Sequence, residues 1–238
     1  MRGKLVVISG FSGAGKGTVI SNMRKEHDGY VLSVSMTTRK PRKGETDGVE
    51  YHFVTNEVFE ELIRNDGFLE HAGYADHYYG TPRAFVEENM NAGRDVLLEI
   101  EVQGAMQIRK KYPQVPLIFI APPDAAELER RLTGRGTDQE EVVNKRLRQA
   151  VVEAEAIPDY DYLLINDHIE PCAFSLNRII RGTEDADHDA EEMQSPAEEM
   201  QSPAEGGEII TDPEKKKAFA SSFSADLPAI LERRGIIS

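Results

Sequence analysis

Nine residues near the N-terminus, Gly10-Phe11-Ser12-Gly13-Ala14-Gly15-Lys16-Gly17-Thr18, combine side-chain-free positions with a single cation. They fit the pattern G-x-x-x-x-G-K, between an apolar run at Leu5–Ser9 and a helical pattern that begins at Lys16. In such a loop successive backbone N–H groups turn into one concavity. The helix N-terminus adds partial positive charge, and Lys16 adds a full one for terminal phosphates. The chemistry is capture of a nucleoside triphosphate, with all nine residues as candidate contacts and Lys16 as the candidate catalytic group. The pattern asks for Ser or Thr directly after the lysine; that position is Gly17, and Thr18 comes one step later. Direct hydroxyl ligation of magnesium is therefore not assured. Thr18 is free to touch a phosphate instead, with the metal held largely through water and nearby carboxylates.

A second constellation lies in Ser33–Phe53, "SVSMTTRKPRKGETDGVEYHF". Arg39 and Arg42 flank Pro41, which restrains the backbone between two planar forks suited to phosphate oxygens. Ser35 and Thr38 offer hydroxyls, and Tyr51 a phenol, to the same phosphate. Glu45 and Glu70 only accept when ionised, and a carboxylate pairs with the two parallel donors on guanine's edge, which adenine lacks. A third cationic set lies in "ERRLTGRGTDQEEVVNKRLRQ". Arg131 and Arg135 are four apart, Arg146 follows, and Gly134 and Gly136 mark a hinge around Arg135. A mobile segment carrying arginines suits phosphoryl transfer, which needs alignment, positive charge and exclusion of water more than covalent help. Asn166 follows the last apolar run, where it borders a base or is a simple loop amide.

Elements of a particular kind must position these groups. Short unbroken apolar runs at Leu5–Ser9, Tyr30–Val34, Asp95–Ile100, Leu117–Ala121 and Tyr162–Ile165 read as strands buried on both faces. Helical patterns alternate with them at Lys16–Glu26, Pro82–Ala92, Ala105–Lys111, Asp124–Leu132, Gln139–Ala156 and Pro171–Arg181, predicting a parallel sheet with helices on both sides. The stretch 35–81 breaks this rhythm with turn signals, aromatic alternation and a short helix near Glu57–Arg64. It reads as an inserted α+β subdomain.

The chain of 238 residues carries a net charge of −14. Residues 183–208 hold ten acids and no Lys or Arg, and residues 209–238 come to +1, so the first 182 residues carry −5. A body of that sign is not expected to bind nucleic acid. The tandem "AEEMQSP" at 190–203 puts proline every seventh residue, which forbids a continuous helix. The whole of 183–238 reads as an acidic, disordered tail. No apolar run is long enough to span a membrane or to form a signal peptide. One cysteine, Cys172, fits a reducing cytoplasm and an inert thiol.

In order along residues 3–181, "SGFSGAGKGT", "SVSMTTRKPRKGETDGVEYHF", "FLEHAGYADHYYGT", "VLLEIEVQGA", "IFIAPP", "RLTGRGTDQEEVVNKRL" and "LLIND" together resemble guanylate kinase. The resemblance implies an α/β P-loop kinase with a five-stranded parallel core sheet (1–34, 82–124 and 157–182), a GMP-binding subdomain (35–81) and a helical lid (125–156). It implies transfer of the γ-phosphoryl group of ATP to GMP, and to dGMP, with Mg2+, in purine nucleotide metabolism. The nine loop residues and Asn166 would take ATP. Ser35, Arg39, Arg42 and Tyr51 would hold the GMP phosphate with Tyr79 assisting, Glu45 would also bind GMP, and Glu70 and Thr81 would read guanine. Glu101, which stands where the family often has aspartate, would reach GMP or metal-bound water, and the metal would be held through phosphates and water, with Thr18 or Glu101 as a protein contact. Lys16, Arg39, Arg135 and Arg146 would carry catalysis. Thr81 replaces a frequent serine, and Phe11 a common proline. Kinase-like scaffolds that have lost turnover typically lack an intact phosphate loop, which this chain keeps. An adenylate-type kinase lacks the guanine pairing expected of Glu70 with Thr81. Oligomeric state has no signal in the sequence.

Overall fold

The computed structural model describes residues 1–42, 44–74, 76–134, 140–182 and 207–237. The first half of the chain runs β1 (Leu5–Gly10), α1 (Lys16–Glu26), β2 (Tyr30–Leu32), β3 (Met36–Thr37), β4 (His52–Phe53), α2 (Asn56–Arg64), β5 (Phe68–Tyr74), β6 (His77–Pro82), α3 (Arg83–Asn91), β7 (Asp95–Glu99) and α4 (Val102–Lys111). The second half runs β8 (Leu117–Ala121), α5 (Ala125–Gly134), α6 (Glu140–Glu155), a 3-10 turn (Ile157–Asp159), β9 (Tyr162–Ile165), α7 (Ile169–Arg181), β10 (Ile209–Ile210) and α8 (Pro213–Arg233). Among the described residues no helix is long and apolar enough to cross a membrane. The chain divides into two compact units, Met1–Ser9 with Gly29–Leu117, and Gly10–Asp28 with Ile118–Ser238.

In the first unit β7 pairs in parallel with β1, from Leu5↔Val96 to Ile8↔Glu99, and with β2, from Tyr30↔Asp95 to Leu32↔Leu97. Val6, Val7, Ile8, Val96, Leu97 and Leu98 are fully buried, as strands covered on both faces must be. Strands β3 to β6 form a separate four-stranded sheet in the order β4-β3-β6-β5. Its last pair, β5 with β6, is antiparallel and shifts register between Phe68 and His71. Such an irregularity re-aims the side chains it brackets, and Glu70 lies within it. Phe59 of α2 stacks on Phe68 and Tyr78, closing a small aromatic core beneath this sheet.

In the second unit β8 and β9 pair in parallel, from Ile118↔Tyr162 to Ala121↔Ile165, and α1 packs against α7. The first unit thus pairs β1, β7 and β2 in parallel and the second pairs β8 with β9 in parallel, a mixed α/β arrangement rich in parallel strands. A further strand, β10, runs antiparallel to β9.

The expectation of disorder throughout 183–238 needs correction. Residues 183–206, with the tandem repeat, lie outside the described residues, but 207–237 are folded. Asp212 caps α8 by accepting from the Glu214 and Lys215 N–H groups (2.9 and 3.0 Å), and Pro213 opens the helix. Ala220, Phe223, Leu227, Ile230 and Leu231 form a buried stripe at steps of three and four, packed on α5, α6 and the 3-10 turn. The segment "DLPAILER" is the end of this helix. Pro228 removes one helical N–H donor, yet the helix continues to Arg233.

Candidate active site

The phosphate loop leaves β1 and enters α1 in the second unit. Gly10, at φ 150°, comes so close to β8 that a Cβ would lie 2.0 Å from the Ile120 carbonyl oxygen. Gly15 caps α1 at φ 87°, in the left-handed region that favours glycine, and a Cβ there would lie 2.7 Å from Asn166 Nδ2. The loop is thus glycine-rich for close approach as well as for presenting N–H groups. Phe11 and Ala14 are its buried anchors, while Ser12 and Lys16 are half-buried and Gly17 and Thr18 are exposed. Lys16 Nζ folds back to donate to the Gly10 and Phe11 carbonyls (2.8 and 3.0 Å). Its ammonium is thereby held at the rim of the concavity its own loop forms. The first turn of α1 carries no acid to compete for an anion.

Two residues from distant elements brace this loop. Asn166, fully buried, donates from Nδ2 to the Ala14 carbonyl at 2.7 Å, which makes it a structural amide of the loop rather than a plain surface one. Arg131 of α5 donates to the same carbonyl at 3.4 Å and pairs with Glu127 at 2.6 Å. Glu127, gripped first by Arg130 and then by Arg131, is held well below the ordinary range at about 2. Arg131 is thus gathered to the loop. Arg146 lies half-buried on α6, and Arg135 lies outside the described residues. Cys172 is buried, which pushes its thiol up to about 12, the inert state expected.

The acceptor-side residues gather in the first unit. Arg39 forms a two-pronged pair with Glu45 (2.8 and 2.9 Å), and Glu45 also accepts from the Arg42 backbone N–H at 2.6 Å. These bonds hold Glu45 down at about 2 and raise Arg39. The sequence offers Glu45 as a ligand acceptor; in the structure its carboxylate fixes the Arg39 fork and the Arg39–Arg42 turn. The guanidinium lies over the rings of Tyr51 (5.4 Å) and Phe53 (5.7 Å), and Tyr51 meets Tyr79 edge-on at 5.8 Å. Burial, then the neighbouring Tyr79, raises the Tyr51 phenol, so it stays a donor at neutral pH. Ser35 is half-buried beside β3, its carbonyl taking the His52 N–H at 2.9 Å, and the Arg42 side chain is exposed.

Glu70 and Thr81 meet as the sequence suggests. The Thr81 hydroxyl donates to Glu70 Oε1 at 2.6 Å, and both residues are buried. Burial raises the Glu70 carboxyl above its ordinary value, against the opposing pull of the Thr81 hydrogen bonds and the Lys111 charge. Sequence reasoning missed what holds this pair. Helix α4 presents Gly104, Gln107 and Lys111, spaced three and four apart, to β5. A Cβ at Gly104 would lie 2.6 Å from Glu70 Oε2. The Gln107 amide brackets His71, donating to its carbonyl at 2.8 Å and accepting its N–H at 3.3 Å, while Lys111 Nζ holds the Leu69 carbonyl at 2.9 Å. Both neighbours of Glu70 are thus gripped from one helix face. Glu101 is the exposed residue that precedes this helix.

A phosphate loop between strand and helix, with its lysine drawn back onto it, defines a P-loop nucleotide-binding protein. The family model described as guanylate kinase matches residues 2–183. A guanylate kinase of Latilactobacillus sakei is 52 % identical over 180 residues, covering 75 % of this chain and 89 % of that protein. One of Lactococcus lactis is 49 % identical over 179 residues, covering 75 % and 87 %. A crystal structure of guanylate kinase from Anaplasma phagocytophilum aligns with a TM-score of 0.62 at 34 % identity, covering 82 % of this chain and 88 % of that one. The chain belongs to the guanylate kinase family. The family match ends before β10 and α8 begin.

Proposed function

We propose a division of labour for the reaction of this kinase, which transfers the γ-phosphoryl group of ATP to GMP and releases ADP and GDP. The loop Gly10–Thr18 takes the ATP phosphates on its N–H groups. Lys16 exchanges its bonds to the Gly10 and Phe11 carbonyls for bonds to the terminal phosphates. Arg131 and Asn166 hold the Ala14 peptide, and so the loop, in place. Ser35, Arg39, Arg42 and Tyr51, with Tyr79 beside them, hold the GMP phosphate; Glu45 keeps the Arg39 fork aimed. Glu70 accepts from guanine N1–H and the 2-amino group, with Thr81 fixing its second oxygen. None of these contacts involves the ribose 2′-hydroxyl, so dGMP is also a substrate. A phosphate oxygen of GMP attacks the γ-phosphorus as the bond from that phosphorus to the bridging oxygen of ADP breaks. The segments 35–81 and 125–156 act as the GMP-binding subdomain and the lid. Arg135 and Arg146 of the lid neutralise charge on the migrating group, and closure excludes water. A cytoplasmic location suits these substrates.

Mg2+ bound with ATP supplies charge neutralisation on the phosphate oxygens. Among the described residues no three His, Cys, Asp or Glu side chains cluster to cage a metal. An ion that keeps most of its waters and binds mainly through phosphates would be held with Thr18 or Glu101 as the protein oxygen.

The observation that carries this reading is the buried Glu70–Thr81 pair, 2.6 Å apart at an irregularity in β5. A coupled ADP-release assay with GMP, dGMP, AMP and UMP tests it. The expected result is rapid turnover of GMP and dGMP; faster turnover of AMP, or no GMP-dependent signal at saturating ATP, refutes it.

A further inference from the structure

We propose that Phe223, on the helix beyond the family match, is a positioning residue for the ATP site and acts through Phe11. The Phe11 ring lies between two others. It stacks on Phe223 with centroids 4.4 Å apart and planes 12° from parallel, and it meets Phe119 of β8 edge-on at 5.0 Å. Phe11 is fully buried and Phe223 is 2 % exposed. The backbone of the same residue serves the loop: the Phe11 carbonyl accepts from Lys16 Nζ and from the Ala14 N–H, both at 3.0 Å. Ring and carbonyl belong to one residue, so fixing the ring fixes the acceptor that parks the catalytic ammonium. Glycines surround this point, and few other side chains anchor the loop.

Helix α8 is itself held firmly enough to act as a stop. Lys216 Nζ is buried and donates to the Tyr160 carbonyl, and Phe119 continues the aromatic series to the Tyr160 ring at 5.1 Å. At the other end Arg233 and Arg234 both pair with Glu129 of α5 (2.5 and 3.3 Å), and Arg234 donates to Asn144 of α6 at 3.0 Å. The C-terminal helix therefore completes the packing around the buried ring of the loop.

The inference rests on the loop being the ATP site, and the test separates the two. Phe223→Ala is expected to raise the KM for ATP about two- to tenfold, the factor that a lost aromatic pair corresponds to, while the KM for GMP is unchanged. Ile230→Ala, buried on the same helix two turns further on, should lower the melting temperature and leave the KM for ATP alone. In a Phe11→Ala background Phe223→Ala should add no further rise. If Phe223→Ala does not fold, Phe223→Leu, which keeps apolar bulk without the ring, is read the same way. An unchanged KM for ATP, equal rises in both KM values, or an equal effect from Ile230→Ala overturns the proposal. Lys16→Ala, run alongside, is expected to abolish turnover; full turnover there overturns the ATP-site reading as well.

Discussion

Replacing Gly104 with alanine sets two effects of opposite sign against each other. Gly104 lies in the first turn of α4, where alanine favours the helix by up to about 1 kcal/mol. Yet the new Cβ would lie 2.6 Å from Glu70 Oε2 and 3.0 Å from its Cδ, whereas ordinary contact begins at 3.4 Å. The carboxylate must retreat by about 0.8 Å, the difference between those separations. It has little room, because Glu70 is only 5 % exposed and its other oxygen is tied to Thr81 at 2.6 Å. Overpacking costs about 1–3 kcal/mol, and weakening a hydrogen bond to a charged group costs about 1.5–3 kcal/mol. The helix gain does not offset these, so we expect a net loss of about 2–4 kcal/mol in stability. A displacement approaching 1 Å in the group proposed to read the base should lower kcat/KM for GMP by about tenfold to a hundredfold. The KM for ATP, set by the phosphate loop, should stay as it is. Thermal melts and steady-state kinetics with each nucleotide varied measure both. A raised melting temperature with unchanged GMP kinetics, as helix propensity alone demands, would refute the reasoning.

Three further outcomes follow from the same geometry. Glu45→Gln should free the Arg39 fork and raise the KM for GMP several-fold, leaving that for ATP unchanged. The folded Glu45 value, about 2, lies below the ordinary 4.5. The pair's stabilisation is therefore full above that ordinary value and lost as pH falls towards 2, and the melting-temperature gap between wild type and Glu45→Gln should close over that window. Glu70 is shifted the other way, so its ionised form is disfavoured in the folded state and stability falls as pH rises through its value. GMP affinity should accordingly weaken on acidification at a higher pH than for an ordinary carboxylate; calorimetric titration of GMP against pH checks this, and an acid limb at the usual Glu position contradicts it. Ending the chain after Gly182 removes α8 and uncovers the ring of Phe11. A sharp loss of thermal stability and of ATP affinity is expected, and a truncated enzyme with normal melting and normal KM for ATP would show α8 to be dispensable.

The core strands could be read from the sequence because burial on both faces leaves nothing but apolar residues, as in "LIFIA" of β8. The phosphate loop was equally legible, since its function resides in backbone spacing that glycines print directly. Glu70 and Thr81 could be paired only through the family resemblance; their contact needs β5 and β6 in register and an irregularity that no local pattern announces. The Arg39–Glu45 pair was not legible, because its members are six residues apart across a turn. The face of α4 that holds β5 was hidden because Gly104, Gln107 and Lys111 differ in chemistry and share only helical spacing. Helix α8 was missed because the acids of 183–208 set the composition of the whole tail. Its own stripe is interrupted by lysines, serines and Pro228, and its partner Phe11 lies more than two hundred residues earlier.

The account turns on one carboxylate choosing the base. The most direct measurement is the ratio of kcat/KM for GMP to that for AMP, taken in the wild-type enzyme and in Glu70→Gln with ATP saturating. The ratio should be large in wild type and fall by about a hundredfold in the variant, as when one partner of a hydrogen-bonded recognition pair is lost, with the KM for ATP unmoved. An unchanged ratio in Glu70→Gln would remove Glu70 from guanine recognition and contradict the site as drawn.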